Sequence, residues 1–390
     1  MFYQFPPVGD RIITSQKSHS KIPPFFVLES MRFYQSGTAA LSAALTATLT
    51  ATLAASVGAT KAFGSGDKAE VILPAYACPD LVSAAIYAGV KPVLVDLEED
   101  RPWLDLGLLE AAITQNTVAI VAVNLFGIAE RWEQLRLLAK KHELILIEDS
   151  AQYFPGKGVM PEQGGDLVVF SFGRGKPVSL LGGGAVLCRD ASLFEYLVLP
   201  KPVAMSIRDK LSFILKASLY NVMISPYLYW LPQSLPFLHL GETRYHALSE
   251  IIAMDSQRLK LLANNIGRYQ DDSGSAGCRE IMDAVLDNVE AVIDLPKVCG
   301  MEGNRRLLRY PLLIDPTSRL KIHHALKKLG VGVSTMYPTS LVNLPGLEHI
   351  FEGKQKYPNA EKFAAMILTI SVKACINRTD VKKLNNAFSP

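Results

Sequence analysis

"FSFGRGKPVSLLGGGA", residues 170–185, sets one lysine, Lys176, among glycines, a proline and small apolar residues. The run "DLVVFSF" (166–172) ahead of it reads as a buried strand, so the lysine follows a strand end by only a few residues. Most lysines stand in water. Here "LLGGGA" lets backbone approach closely. A partly desolvated amine can act as a nucleophile towards carbonyls, and a Schiff base with an aldehyde cofactor is the evident use.

Outward from that loop, short apolar runs alternate with helical patterns. "EVILPAY" (70–76), "KPVLVDL" (91–97), "VAIVAVNLFG" (118–127), "LILIEDS" (144–150) and "GGAVLCRD" (183–190) read as further strands. Between them, "DLVSAAIYAG" is a helix stopped by Gly89, "DLGLLEAAI" (105–113) is one capped by Asp105, and "RWEQLRLLAKKHE" is amphipathic. Near-continuous Val/Ile/Leu strands alternating with helices predict an α/β fold with a mostly parallel sheet covered on both faces. From about residue 255 the pattern changes to a smaller α+β unit, with "LLRYPLLID", "RLKIHHALKKLGVGV" and "AEKFAAMILTISVK" as strand, helix and helix–strand. Two units follow, 1–254 and 255–390, as the length of 390 residues also suggests.

Composition narrows the partners. The chain is 49% apolar and 20% charged, with a net charge of +3, which gives no footprint for nucleic acid. Its five cysteines are scattered without CxxC spacing, which argues against a disulfide framework or a zinc site and fits a reducing cytoplasm. The first residues lack the layout of a signal peptide. Two apolar stretches invite a membrane reading. Residues 38–60 are mostly Ala and Thr and are expected to form a buried helix. Residues 211–240 are richer in large apolar and aromatic residues but are interrupted by Lys216 and prolines; core or subunit packing is expected there rather than a lipid surface.

In open α/β sheets ligands bind beyond the carboxyl ends of the strands. These ends deliver Tyr76 and Cys78, Asn124, Asp149 and Gln152, and Ser171 with Lys176. Upstream, Gly37, Thr38 and Ala39 open the Ala-rich helix. They read as a phosphate cup or as a plain helix N-terminus capped by Ser36 or Thr38, and taken alone the plain cap is the simpler reading. Asp149 either caps the next helix or places an anion against a cationic ring nitrogen.

In order, "SGTAAL", "VILPAYACPDLVSAAIYAGVKPVLVDLEED", "IEDSAQ", "GGDLVVFSFGRGK" and "GGGAV" resemble the DegT/DnrJ/EryC1/StrS family of pyridoxal-phosphate aminotransferases. The resemblance covers residues 30–260 and reaches the last third through "RYPLLI" and "LKKLGVGVSTMYPTSL". It implies the aspartate-aminotransferase fold (fold type I), a homodimer with shared active sites, and pyridoxal 5'-phosphate as cofactor. By the same resemblance Lys176 carries the cofactor and moves the proton. Asp149 pairs with the ring nitrogen and keeps the ring an electron sink. Gln152 sits near the phenolic oxygen, and Thr38, Ala39 and Ser171 hold the phosphate. Asn124 stands where the family often has a histidine.

The chain departs from the family at Cys78, where an aromatic ring often stacks, and at Gly182, where "GEGGA" has its acid. It departs again at "GETRYHALSE", where the asparagine is missing and the arginine is displaced to Arg244, and at Lys373 in "ISVK". About fifteen extra residues also precede "EVILP". Tyr76, Arg244 and Tyr337 are the candidate substrate contacts. The expected activity is amino transfer from glutamate to a nucleotide-linked keto sugar. A cofactor-binding scaffold with little turnover is the alternative. A nicotinamide-dependent reading is disfavoured, because no GxGxxG follows an early strand.

Overall fold

The structure is a computed structural model. It describes residues 3–15, 23, 25–26, 28–56, 68–157, 164–235, 241–272, 276–287, 289, 292–301, 305–351, 355–377 and 381–388. The ends of both apolar stretches, 57–60 and 236–240, lie outside the described residues, as do most of the extra residues before "EVILP".

The larger sheet has seven strands: β1 (Met31–Tyr34), β2 (Glu70–Pro74), β3 (Lys91–Val95), β4 (Thr117–Val123), β5 (Ile145–Asp149), β6 (Leu167–Ser171) and β7 (Gly184–Cys188). Their order is β1-β7-β6-β5-β4-β2-β3. The pairs from β3 through β6 are parallel; β7 runs antiparallel to both β6 and β1. Side-chain alternation explains why these strands lack a polar face. Val71, Leu73, Val121, Ile147 and Val169 point into the main core with the Ala-rich helix. Ile72, Ile120 and Leu146 point the other way, onto Trp132, Leu135 and Ala139 of the amphipathic helix Trp132–Lys141. β1 is absent from the strand runs expected from the sequence: "MRFY" is short, half-polar and too brief to show a period.

Helix α1 (Gly37–Ser56) crosses the main-core face of the sheet. Alanines bring its backbone close to the strands. The hydroxyls of Thr46, Thr48, Thr50 and Thr52 donate to carbonyls one turn back, so they are satisfied without water. Among the described residues it is the one helix long and apolar enough to cross a membrane, and half of that window is buried in the core.

The smaller sheet is antiparallel: β8 (Val292–Asp294), β9 (Tyr310–Ile314), β10 (Val333–Ser334) and β11 (Ile367–Ile370), in the order β10-β11-β9-β8. The N-terminal residues lie against this unit. The Phe5 N–H donates to the Gly330 carbonyl (2.9 Å), and a Cβ on Gly332 would stand 2.3 Å from the Pro6 oxygen.

Two expectations from the sequence are revised. The fourth strand stops at Val123, and Leu125–Gly127 form a short turn with Phe126 at φ 60°. That backbone is locked: Phe126 N donates to Gln152 Oε1 (3.0 Å), and its carbonyl accepts from Leu308 N (2.8 Å). Of the two packings expected for residues 211–240, core or subunit, the core one is not what forms: the segment enters a helix, Ile207–Met223, that turns only Phe213 and Ala217 fully inward. Leu211 and Leu215 are 63% and 70% exposed, and Ile207, Leu219 and Val222 extend the same outward stripe.

Candidate active site

β2, β5 and β6 end at one edge of the large sheet, and α1 begins there. A cavity of about 270 Å³ lies between them. Gly37 and Thr38 at the start of α1 form one wall, with Ser171 beside them. Asp149 and Lys176 line the same space, as do Cys78 and Asp80.

Close packing dictates the wall. A Cβ on Gly37 would fall 2.7 Å from Ser171 Cβ and 2.8 Å from its Oγ, so glycine alone brings the helix start against the strand end. Gly184 next door is equally constrained, with Ser36 O 2.4 Å from where its Cβ would be. Ser36 caps the helix, accepting from Ala39 N (3.1 Å). The Ala39 N–H is therefore occupied, and Gly37, Thr38 and Ser171 line the cavity without it. Thr38 turns its own hydroxyl to Asp80 Oδ2 (3.0 Å).

Asp149 is buried, and its carboxylate takes one hydrogen bond, from Ala151 N (2.9 Å). Burial raises its pKa above the ordinary carboxylate value; the Ala151 N–H and the Lys176 ammonium oppose that, and Asp80 and Glu148 add to it. Such a carboxylate is short of cationic partners. Among the described residues, Lys176 has no carboxylate within ion-pair distance. Its backbone N–H closes a turn onto Gly173 O (3.3 Å). Burial pushes the Cys78 thiol up to about 12, so it is a neutral wall and no nucleophile.

Other sequence candidates stand elsewhere. Asn124 is spent on structure: its amide donates to Glu148 (3.0 Å) and Ser150 (2.8 Å), and its oxygen accepts from Arg305 (3.1 Å). Gln152 braces the Phe126 turn and donates to the Tyr337 hydroxyl (3.0 Å). Tyr76 donates to the Tyr337 carbonyl (3.2 Å), and their rings lie 5.5 Å apart. None of these lines the cavity. Arg244 is exposed and pairs with Glu242 (2.6 Å). Sequence reasoning missed Asp80 and Arg174, both of which line the cavity. Asp80 follows a proline just past a strand, a helix-start signal, and Arg174 lies inside the glycine loop itself.

Lys176 also borders a second cavity, of about 610 Å³, beneath the N-terminal segment. Its walls carry Arg11, Arg268, Arg306 and Lys373 against Asp10 and Asp272. Asp10 bridges Arg268 and Lys373, which hold its carboxyl below the usual range.

The sheet order, the lysine loop and the buried aspartate at neighbouring strand ends define the fold of the pyridoxal-phosphate aminotransferases. Solved structures agree: Helicobacter pylori PseC, described as an aminotransferase of pseudoaminic acid biosynthesis, superposes with a TM-score of 0.67 at 16% identity, over 99% of this chain and 98% of that one. Residues 33–213 match the model of the DegT/DnrJ/EryC1/StrS aminotransferase family. Over 332 residues the chain is 36% identical to the UDP-2-acetamido-2-deoxy-3-oxo-D-glucuronate aminotransferase of Pseudomonas aeruginosa, covering 82% of this chain and 79% of the relative. It is 37% identical over 142 residues to the dTDP-3-amino-3,4,6-trideoxy-alpha-D-glucose transaminase of Streptomyces venezuelae, a match spanning 36% of this chain and 38% of that relative's length. The chain belongs to the DegT/DnrJ/EryC1/StrS aminotransferase family.

Proposed function

We propose that the chain moves an amino group from an amino acid, glutamate being the expected donor, to a nucleotide-linked keto sugar, with pyridoxal 5'-phosphate carried on Lys176. One observation bears most of the weight: Lys176, the buried Asp149 and the Gly37–Ser171 wall surround a single cavity. The residues present fit the cofactor. The Gly37 and Thr38 N–H groups and the Ser171 hydroxyl suit a phosphate, and Asp149 lacks the cation that a protonated ring nitrogen would supply.

When bound, pyridoxal phosphate supplies an aldehyde that takes up amines and a ring that draws off an electron pair. Asp149, with its carboxylate, would hold the proton on the ring nitrogen. Lys176 would give the covalent attachment and, once free, its Nζ could take and return a proton within the same cavity. Cys78 cannot stack as an aromatic ring would, so it only excludes water. The relatives' printed substrates, nucleotide-linked sugars in both cases, support the acceptor class, and the cation-rich larger cavity beside Lys176 suits the phosphates of such a substrate.

The exposed stripe Ile207–Val222 favours a homodimer, because contiguous apolar surface of this kind marks protein contacts. Five unpaired cysteines favour a reducing compartment, the cytoplasm. Addition of pyridoxal phosphate is expected to give a visible band that borohydride fixes on Lys176. Lys176→Ala is expected to lose it, and a band retained in that variant defeats the assignment. Amino transfer from glutamate to keto sugars separates the enzyme from a scaffold.

A further inference from the structure

Among the described residues, the larger cavity is lined by five cationic side chains against two carboxylates, so it stays positive even with Asp10 inside it. Its volume, about 610 Å³, suits a nucleotide-sized ligand. Asp10 occupies the place an anionic ligand would take: its carboxylate accepts from Lys373 Nζ (2.6 Å) and from Arg268 Nη1.

The segment that carries Asp10 is tied at both ends. Phe5 N donates to Gly330 O (2.9 Å). Asn221 grips both backbone groups of Ile12 (2.7 and 2.8 Å), and Asn265 grips those of Ile13 (2.9 and 3.1 Å). Between these ties the backbone is unattached. Pro6 and Pro7 have no N–H, and among the described residues 6–11 make no backbone hydrogen bond to another part of the chain. The ion pairs of that stretch are those of Asp10. The Lys373 side chain is 46% exposed and that of Arg268 25%, so water reaches both pairs and exchanging them costs little. Val8, on the same stretch, packs on the lysine loop: a Cβ on Gly175 would fall 3.1 Å from Val8 Cγ1.

We propose that Asp10 is a latch standing in for phosphate: a nucleoside diphosphate takes Arg268 and Lys373 from it and releases residues 6–11 from the cavity beside Lys176. A diphosphate carries more charge than one carboxylate and accepts from both cations at once. Its preference for the open arrangement drives the release, and Val8 carries the change to the loop of Lys176. The latch deepens the proposed function and rests on it for the nucleotide-linked ligand.

Two measurements on the full chain test it. Val8→Cys reports the stretch through its alkylation rate, located by mass spectrometry. That rate is expected to rise about threefold or more at saturating UDP or inorganic pyrophosphate, to be as fast without ligand in the Asp10→Asn background, and to ignore uridine. In calorimetry, Asp10→Asn is expected to tighten UDP and pyrophosphate about threefold or more, as a latch closed about two-thirds of the time requires. Lys373→Gln is expected to weaken both by a similar factor. Tighter binding without faster alkylation would be the mere removal of a repelling charge, and it overturns the latch. An Asp10→Asn chain that binds no better than wild type overturns it too, as does a wild-type chain that binds neither ligand, or binding that Lys373→Gln leaves unchanged. Should Asp10→Asn not fold, the response of Val8→Cys to UDP decides alone. Neither measurement needs the cofactor. A released stretch with no borohydride-fixed band leaves the latch standing without amino transfer, and a fixed band with an unresponsive stretch leaves amino transfer standing without the latch.

Discussion

Gly37→Ala puts a methyl group where Ser171 already is. The new carbon would lie 2.7 Å from Ser171 Cβ and 3.5 Å from its Cα, against an optimum of about 3.5–4.0 Å between carbons. Roughly 1 Å of movement is needed, and neither side yields easily. Ser171 is paired with Gly184 across β6 and β7, and Gly184 is itself pressed on Ser36. Overpacking of this kind costs about 1–3 kcal/mol; alanine's better helix propensity returns at most about 1 kcal/mol. On the proposed function, displacing the Ser171 hydroxyl would also remove a hydrogen bond to a charged ligand, about 1.5–3 kcal/mol, or roughly a 10- to 150-fold loss in affinity for pyridoxal phosphate. Urea unfolding of cofactor-free protein and a fluorescence titration with the cofactor measure the two effects separately. Ser171→Gly removes the opposing Cβ, so in that background Gly37→Ala is expected to cost almost no stability. An equal cost in both backgrounds would refute the steric account.

Asp149→Asn keeps the shape and removes the charge; kcat is expected to fall roughly 10²–10³-fold while the Lys176 band persists. Burial pushes the Glu130 carboxyl up to about 8, against an ordinary 4.5, outweighing Arg131 and the N–H groups of Leu104 and Arg131. The folded chain therefore binds this proton more tightly than the unfolded chain. The resulting stability is fully present below about pH 4.5 and is lost as pH rises towards 8, by at most about 1.4 kcal/mol per pH unit. Glu130→Gln should flatten that slope in thermal melts, and an unchanged slope contradicts the burial argument. Cys78, with its thiol near 12, should alkylate roughly 10³-fold more slowly at pH 8 than an ordinary thiol; fast labelling at this position, located by mass spectrometry, would contradict it. Leu211→Glu with Leu215→Glu should leave the fold intact and shift sedimentation towards monomer, whereas an unchanged sedimentation profile removes this stripe from any dimer.

The sequence carried the sheet because its inner strands are apolar on both faces, a signal that survives without tertiary context. Asp149 and Ser171 were legible for the same reason, each being the polar last residue of such a strand, and Lys176 stood out in the glycine loop just beyond. β1 was not, since four residues with two polar side chains look like loop until β7 supplies their partners. Gln152 and Asn124 illustrate another limit. Both follow strands as ligand-binding residues do, yet their amides are consumed by Phe126, Glu148 and Arg305, contacts that join positions up to 181 residues apart.

The antiparallel join of β1 to β7 has a consequence for how the polypeptide is made. Met31 pairs with Leu187, so 156 positions (187 − 31) separate the two partners. At about 5–20 residues per second of translation, the greasy Ala/Thr helix that follows β1 is complete roughly 7–26 s before the strand that seals that flank of the sheet exists. For that interval the nascent chain is a natural client for chaperones, and slowing translation between residues 56 and 184 should lower the soluble yield more than slowing it after β7.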